Sequence, residues 1–152
     1  MPLSDLAIKY TGKSCFSAYA LASSIPITVN AVAKPSAVIA LGCNTADAVT
    51  SGACNIALGG DALGAATSGN VNIAIGLGAL KTNDDAGGDY NIAIGRLAMG
   101  GTDTTGINNI ALGTYAMDAL TSGYCNVAIG INALGAATTT NNTVAIGQLA
   151  LG

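Results

Sequence analysis

Several residue types on which enzymes depend are missing from this 152-residue sequence, which contains no His, no Trp and one Phe. Without an imidazole, the chain lacks the commonest general base and a common metal ligand. The eight acidic residues, all Asp, form no pair with a spacing suited to acid–base catalysis. No nucleophile has a base beside it either. We therefore expect a protein that is not an enzyme and that uses no metal or cofactor.

Charged residues are also scarce, at 9% of the chain, and the formal net charge is −3. A surface this poor in charge is unusual for a soluble monomer, which suggests that other copies of the chain cover much of it. The charge is unevenly divided, because residues 1–36 carry three Lys and one Asp whereas residues 37–152 are acidic. No basic stripe is present, so no nucleic-acid partner is expected.

Long apolar runs are absent, although hydrophobic residues make up 51% of the sequence. A membrane-spanning helix needs about 18 or more predominantly apolar residues. Residues 16–33 come closest, but Ser, Thr, Asn and Pro26 interrupt them. Asp5 stands where a secretory signal would carry positive charge. We therefore expect no membrane partner.

What the sequence does contain is a short repeat, Asn-Ile-Ala-Ile-Gly-x-x-Ala-Leu, that recurs seven times within residues 37–152. The anchoring glycines follow one another at intervals of 17, 17, 19, 18, 17 and 17 residues: Gly42, Gly59, Gly76, Gly95, Gly113, Gly130 and Gly147. This period is too short for a helical pair or a propeller blade, but it suits one turn of a β-solenoid. The sequence therefore predicts an all-β parallel solenoid of seven turns. Residues 1–36 do not repeat and form a separate N-terminal segment.

The Ile-Ala-Ile triplet alternates with the period of a β-strand, so its two large aliphatic side chains share one face and the Ala takes the other. We assign the large aliphatics to the interior, together with the Leu or Met that ends each copy. The predicted solenoid core includes Ile73, Ile75, Leu80, Ile92, Ile94 and Met99. The Gly after the triplet permits a sharp corner because it tolerates positive φ.

The Ala of the triplet is the same in all seven copies, although a solvent-facing strand position has no need to stay small. A column of small side chains lets another backbone approach closely, so we assign this column to a contact between subunits. The alternative is an outward pleat of low-complexity sequence. The predicted contact residues are Ala57, Ala74, Ala93, Ala111, Ala128 and Ala145.

An Asn precedes most of the triplets, and stacked Asn side chains are expected to bond to one another or to cap the turn backbone. A ligand-binding ladder is the weaker alternative. The four cysteines match no zinc pattern. Cys54 and Cys125 share one position of the repeat four turns apart, about 19 Å along the stack, which is beyond disulfide reach. We predict that no disulfide forms.

The pattern Asn-x-Ala-Ile-Gly-x-x-Ala-Leu, over residues 38–151, resembles the head repeats of trimeric autotransporter adhesins of the YadA type. It also resembles the repeats of phage tail fibres and other virion appendages. The resemblance implies a left-handed parallel β-roll and a homotrimer. The Ala column, assigned to a subunit contact above, is then the predicted trimer interface. The coiled-coil stalk and membrane barrel of the adhesins have no counterpart here, which favours a virion component.

Within that class, the small size favours a capsid decoration (cement) protein on the surface of a phage head, and the major capsid protein is then the expected partner. The basic N-terminal segment would make that contact, through Lys9, Tyr10, Lys13, Phe16, Tyr19 and Lys34. The alternative is a tail-fibre, spike or adhesin head that binds a host surface. An acyltransferase on a β-solenoid is disfavoured because such enzymes use a catalytic His.

Overall fold

The structure, a computed structural model, describes residues 38–82 and 88–152. These residues form seven three-residue strands: β1 (Ile39–Leu41), β2 (Ile56–Leu58), β3 (Ile73–Ile75), β4 (Ile92–Ile94), β5 (Ile110–Leu112), β6 (Val127–Ile129) and β7 (Val144–Ile146). They pair in parallel, in chain order, in one sheet. The predicted all-β parallel solenoid is confirmed, with about six turns between its seven strands. The N-terminal segment, residues 1–36, lies outside the described residues.

The register of the sheet follows the repeat. Ile73 of β3 pairs with Ile56 of β2 on one side and with Ile92 of β4 on the other. The interval between the glycines of β3 and β4 is 19 residues instead of 17, yet these two strands pair in the same register as the others. The strand triplet, and not the length of the connection, therefore sets the register.

The corners of the solenoid use left-handed backbone at residues other than glycine. Non-glycine residues with φ near +50° recur at three positions of the repeat, five before the anchoring Gly and two and four after it. Val71 (φ 55) and Leu80 (φ 46) are examples. Such conformations cost on the order of 1–3 kcal/mol each. This conformation also directs the backbone N–H groups along the stack. The N–H of Val71 donates to the carbonyl of Ala53, and the N–H of Leu80 donates to the carbonyl of Ala98. These bonds between turns offset the strain.

The interior corrects our assignment of the strand faces. The alanines at the centre of β2 to β7 are 0–2% exposed: Ala57, Ala74, Ala93, Ala111, Ala128 and Ala145. They face the core of their own chain and do not reach the surface, so they cannot form the subunit contact that we assigned to them. Leu80 and Met99 are fully buried, as predicted. The aliphatic residues beside the alanines are partly exposed instead, and the predicted core positions that move outward are Ile73, Ile75, Ile92 and Ile94.

The narrow cross-section of the solenoid explains why the Ala of each strand, and not its larger aliphatic neighbours, faces the interior. Each full turn buries the Leu or Met that lies four residues after the anchoring Gly, such as Leu63, Leu80 or Met117, and the turn of β5 also buries Leu120. The Ala three residues after that Gly is buried too. Because the interior is close-packed, the strand that lies opposite this large side chain can contribute only a small one. The alternation within the triplet was predicted correctly, but the face that turns inward was not.

The column of Asn side chains is buried and bonds along the stack, as predicted. Asn91 Oδ1 accepts a hydrogen bond from the backbone N–H of Asn109 (2.9 Å), and Asn91 Nδ2 donates to the carbonyl of Gly106 (2.8 Å). Asn72 repeats this arrangement one turn earlier. Each side chain thus joins its own turn to the next one.

The prediction that no disulfide forms is wrong, because Cys43 is disulfide-bonded. Its partner is not among the described residues. Cys54 and Cys125 are free and exposed, in agreement with the distance argument. That argument was applied to these two residues alone, so it did not bear on Cys43.

Candidate functional site

The most distinctive surface of the molecule is the outer face of the sheet, which consists of the two residues that flank the buried Ala in each strand. All are Ile, Leu or Val: Ile39, Leu41, Ile56, Leu58, Ile73, Ile75, Ile92, Ile94, Ile110, Leu112, Val127, Ile129, Val144 and Ile146. None is fully buried, and Ile94 in the middle of the sheet is 38% exposed. Contiguous apolar surface of this extent is rare on monomeric proteins and commonly marks an interaction site.

Two further columns border the outer face. The leading corner is the residue five positions before each anchoring Gly: Cys54, Val71, Tyr90, Asn108, Cys125 and Asn142. The trailing corner is the residue directly after each Gly: Cys43, Gly60, Leu77, Arg96, Thr114, Ile131 and Gln148. The leading corner is exposed at all six positions, and the trailing corner is exposed at Leu77, Arg96, Ile131 and Gln148.

Backbone hydrogen bonds hold both corners in register with the sheet. At the leading corner, the N–H of Tyr90 donates to the carbonyl of Asn70 one turn earlier (3.0 Å). At the trailing corner, the carbonyl of Leu77 accepts from the N–H of Leu97 one turn later (2.9 Å). Since every turn repeats this scheme, the corners and the outer face form one regular surface, four columns wide.

Charged groups lie at its borders and away from it. No charged residue occurs in any of the seven strands. Arg96 lies at the trailing corner with its guanidinium 5.1 Å from the centre of the Tyr115 ring, and it donates a hydrogen bond to the Tyr115 hydroxyl. Elsewhere Lys81 and Asp61 form an exposed ion pair at 3.8 Å, which contributes little to stability.

Asp118 is the carboxyl group to examine for chemistry. Its partial burial raises its pKa, and hydrogen bonds from the backbone N–H groups of Asp118 and Ala119 act in the opposite direction.

Within residues 38–82 and 88–152, no three His, Cys, Asp or Glu side chains gather closely enough to hold a metal ion. The same residues contain no helix of the length and apolarity that crossing a membrane requires.

The residues predicted to bind a capsid lie outside the described residues: Lys9, Tyr10, Lys13, Phe16, Tyr19 and Lys34. The predicted contact residues of the Ala column lie together, but inside the chain. The outer face itself was missed as a surface. The sequence contained an indication of this surface. Both positions beside the Ala are aliphatic in every copy, whereas the corner positions vary from copy to copy.

The chain matches no protein-family model, no curated protein and no solved structure. The class of protein that the fold defines is a parallel β-solenoid built from a repeat of about 17 residues. The surface that distinguishes it within this class is an aliphatic sheet face bordered by two regular corners.

Proposed function

We propose that the chain is a non-enzymatic structural protein of a virion, a homotrimeric decoration (cement) protein that stabilises a phage capsid. The observation that supports this proposal is the outer face, which is apolar and exposed although the solenoid already has a buried core of its own. Such a surface needs a protein partner, because exposed aliphatic side chains gain free energy when they leave water.

The outer face and its two corners together come close to the size of a stable contact. Seven strands about 4.8 Å apart, with seven residues at about 3.3 Å each from the leading to the trailing corner, give this surface a size of roughly 30 Å by 20 Å. Its projected area, roughly 600 Å², approaches the roughly 800 Å² per partner that a standard protein interface buries. We propose that the outer face, and not the buried Ala column, forms the contact between the three copies.

Attachment to the capsid is proposed to be the role of the N-terminal segment. Residues 1–36 carry a net positive charge whereas the repeat is acidic, so the two parts suit different partners. In this proposal Lys9, Lys13 and Lys34 contact acidic groups of the major capsid protein, and Tyr10, Phe16 and Tyr19 supply apolar contacts. The repeat resembles that of phage virion appendages, which also favours a location on the capsid surface.

A capsid-binding measurement tests the proposal. Purified protein is mixed with decoration-free particles of the virus that encodes it, and bound chains are counted after sedimentation. We expect saturation at three chains per threefold position. Deletion of residues 1–36 should abolish binding while the solenoid stays folded by circular dichroism. If the truncated chain binds as well as the full chain, the proposed role of the segment is wrong.

A host-binding head is the second candidate, and one exposed pair of residues favours it. Ile107 and Tyr124 follow one another on adjacent turns beside the leading corner, and they are 40% and 45% exposed. An aromatic ring next to an aliphatic side chain suits recognition of a surface ligand. Saturable binding to host cells, with no affinity for the capsid and loss of cell binding in Tyr124→Ala, would favour this candidate over the cement protein.

A further inference from the structure

We infer that a disulfide between Cys15 and Cys43 fastens the N-terminal segment to the β1 end of the solenoid, where the segment covers the turn that contains Ala46 and Val49. The β1 end is the free side of the first turn, residues 38–52. The inference goes beyond the proposed function, because it requires neither a capsid nor a second copy of the chain.

Elimination identifies the partner of Cys43. The chain contains four cysteines, at positions 15, 43, 54 and 125. Cys43 is disulfide-bonded, whereas Cys54 and Cys125 are free. Within one chain, only Cys15 then remains as the partner of Cys43. Because a disulfide holds the two Cα atoms about 4.4–6.8 Å apart, it brings Cys15 to the trailing corner of the first turn, directly after β1.

The disulfide fixes a long stretch of chain to the first turn at both of its ends. Residues 16–37 lie between Cys15, at the trailing corner, and Val38, at the start of the first turn. Val38 and Cys43 are five residues apart, so these two attachment points are at most about 18 Å from each other. Residues 16–37 outnumber one repeat of the solenoid. They are therefore long enough to extend over the β1 end and return.

Two side chains of the first turn are buried although the stack continues on only one side of them. Ala46 is fully buried and Val49 is 5% exposed. At the other end of the stack, Leu151 occupies the same position of the repeat as Ala46 and is 65% exposed. No described residue lies beyond the first turn to shield it, since β1 is the outermost strand. The segment attached at Cys43, three residues before Ala46, is in the right place to do so.

The cover lies over the turn that follows β1 and not over the strand itself. Ala40, at the centre of β1, is only partly buried, and its neighbours Ile39 and Leu41 are 52% and 64% exposed. The outer face therefore stays accessible at this end, and the cover does not compete with a contact made through that face.

The composition of both parts suits this contact. Ala46 stands where the six later turns have Leu or Met, so the first turn leaves room for apolar side chains from outside the repeat. Shortly after Cys15, the segment supplies Ala18, Ala20 and Leu21, which are not among the proposed capsid contacts. Apolar side chains on both sides gain free energy when they leave water together.

Peptide mapping of the full-length chain tests the disulfide. The protein is equilibrated with oxidised glutathione, treated with iodoacetamide and digested without reduction. The exchange is balanced, because two thiols of the chain and one glutathione disulfide give the Cys15–Cys43 disulfide and two glutathione thiols. We expect a peptide pair that joins Cys15 to Cys43 and a single-chain band on a non-reducing denaturing gel. A bond from Cys43 to another copy, or an alkylated Cys43, overturns the inference.

Hydroxyl-radical footprinting, read by mass spectrometry, tests the cover. After correction for intrinsic reactivity, Val49 of the oxidised wild type should react about tenfold more slowly than Leu151, in line with their exposures. Cys15→Ser releases the segment, so the rate at Val49 should rise several-fold while the circular dichroism spectrum and the rate at Leu151 stay unchanged. Cys125→Ser is the matched control, because it removes an exposed free thiol and should leave Val49 protected.

Cys43→Ser provides a second variant in case Cys15→Ser does not fold. Each replacement breaks the same bond, so the two variants should expose Val49 equally, and their combination should expose it no further. If Val49 stays protected in both folded variants, the disulfide does not hold the cover and the inference is overturned. If Val49 reacts as fast as Leu151 in the oxidised wild type, no cover exists at the β1 end.

Discussion

The backbone N–H of Asn91 donates a hydrogen bond to the side-chain Oδ1 of Asn72, 2.8 Å away on the preceding turn of the solenoid. Both side chains are fully buried. A polar group in this position must be paired, because an unpaired buried donor or acceptor costs about 1–3 kcal/mol. The Asn column is therefore part of the core, although it is made of polar side chains.

Replacement of Asn91 by Ala should destabilise the fold. The change leaves the N–H of Asn109 and the carbonyl of Gly106 without their present partner. At about 1–3 kcal/mol for each group, we expect a loss of roughly 2–6 kcal/mol in the free energy of unfolding, measured by chemical denaturation. Asn141→Ala is the control, since Asn141 is exposed and its side chain accepts one bond, from the N–H of Tyr124. A similar loss in both variants would contradict the special role of the buried column.

Lysine substitutions distinguish the two faces of a strand. Ala93 is fully buried, so Ala93→Lys places a long charged side chain in the core and should cost at least several kcal/mol, enough to unfold the chain. Ile92→Lys places the same charge on the outer face, where it should leave the fold intact but dissociate the oligomer. Circular dichroism reports the fold and light scattering the mass. Were Ala93→Lys to yield a folded monomer, the Ala column would be the subunit contact after all.

Replacing each of two equivalent glycines by alanine distinguishes the cost of steric conflict from the cost of backbone strain. Gly95 has φ +140°, and an added Cβ would lie 2.5 Å from the carbonyl oxygen of Gly113 on the next turn. Gly147 has a comparable φ of +121°, but an added Cβ there has no atom within 4 Å. We expect Gly147→Ala to cost on the order of 1–3 kcal/mol from strain alone, and Gly95→Ala to cost distinctly more. Equal losses in the melting experiment would mean that the turns separate freely to admit a methyl group.

Thiol counting tests the state of the cysteines. Cys54 and Cys125 are exposed and free, and Cys43 is disulfide-bonded. Since a disulfide removes two of the four cysteines in the chain, two thiols should react with a chromogenic reagent in the native, non-reduced protein. Four should react after reduction and denaturation. A native count above two would show that Cys43 is reduced.

Most of the fold follows from the period of the sequence. The near-constant period of the repeat predicted parallel strands, because each copy pairs with the equivalent part of its neighbours, and the strand triplet sets the register. The columns of Asn and of Leu or Met were predicted for the same reason. The left-handed backbone at residues such as Val71 was not predicted, because local preference disfavours it and only the hydrogen bonds between turns compensate for it.

By itself, the sequence determined the repeat, the strand triplets and the alternation that places Ile92 and Ile94 on one face and Ala93 on the other. Only the tertiary structure decided which of these faces is inside. The alternation has a period of two and carries no information about the width of the interior, whereas side-chain packing depends on that width. Met99 already fills the available width at this level, so Ala93 turns inward and the isoleucines become the surface of the molecule.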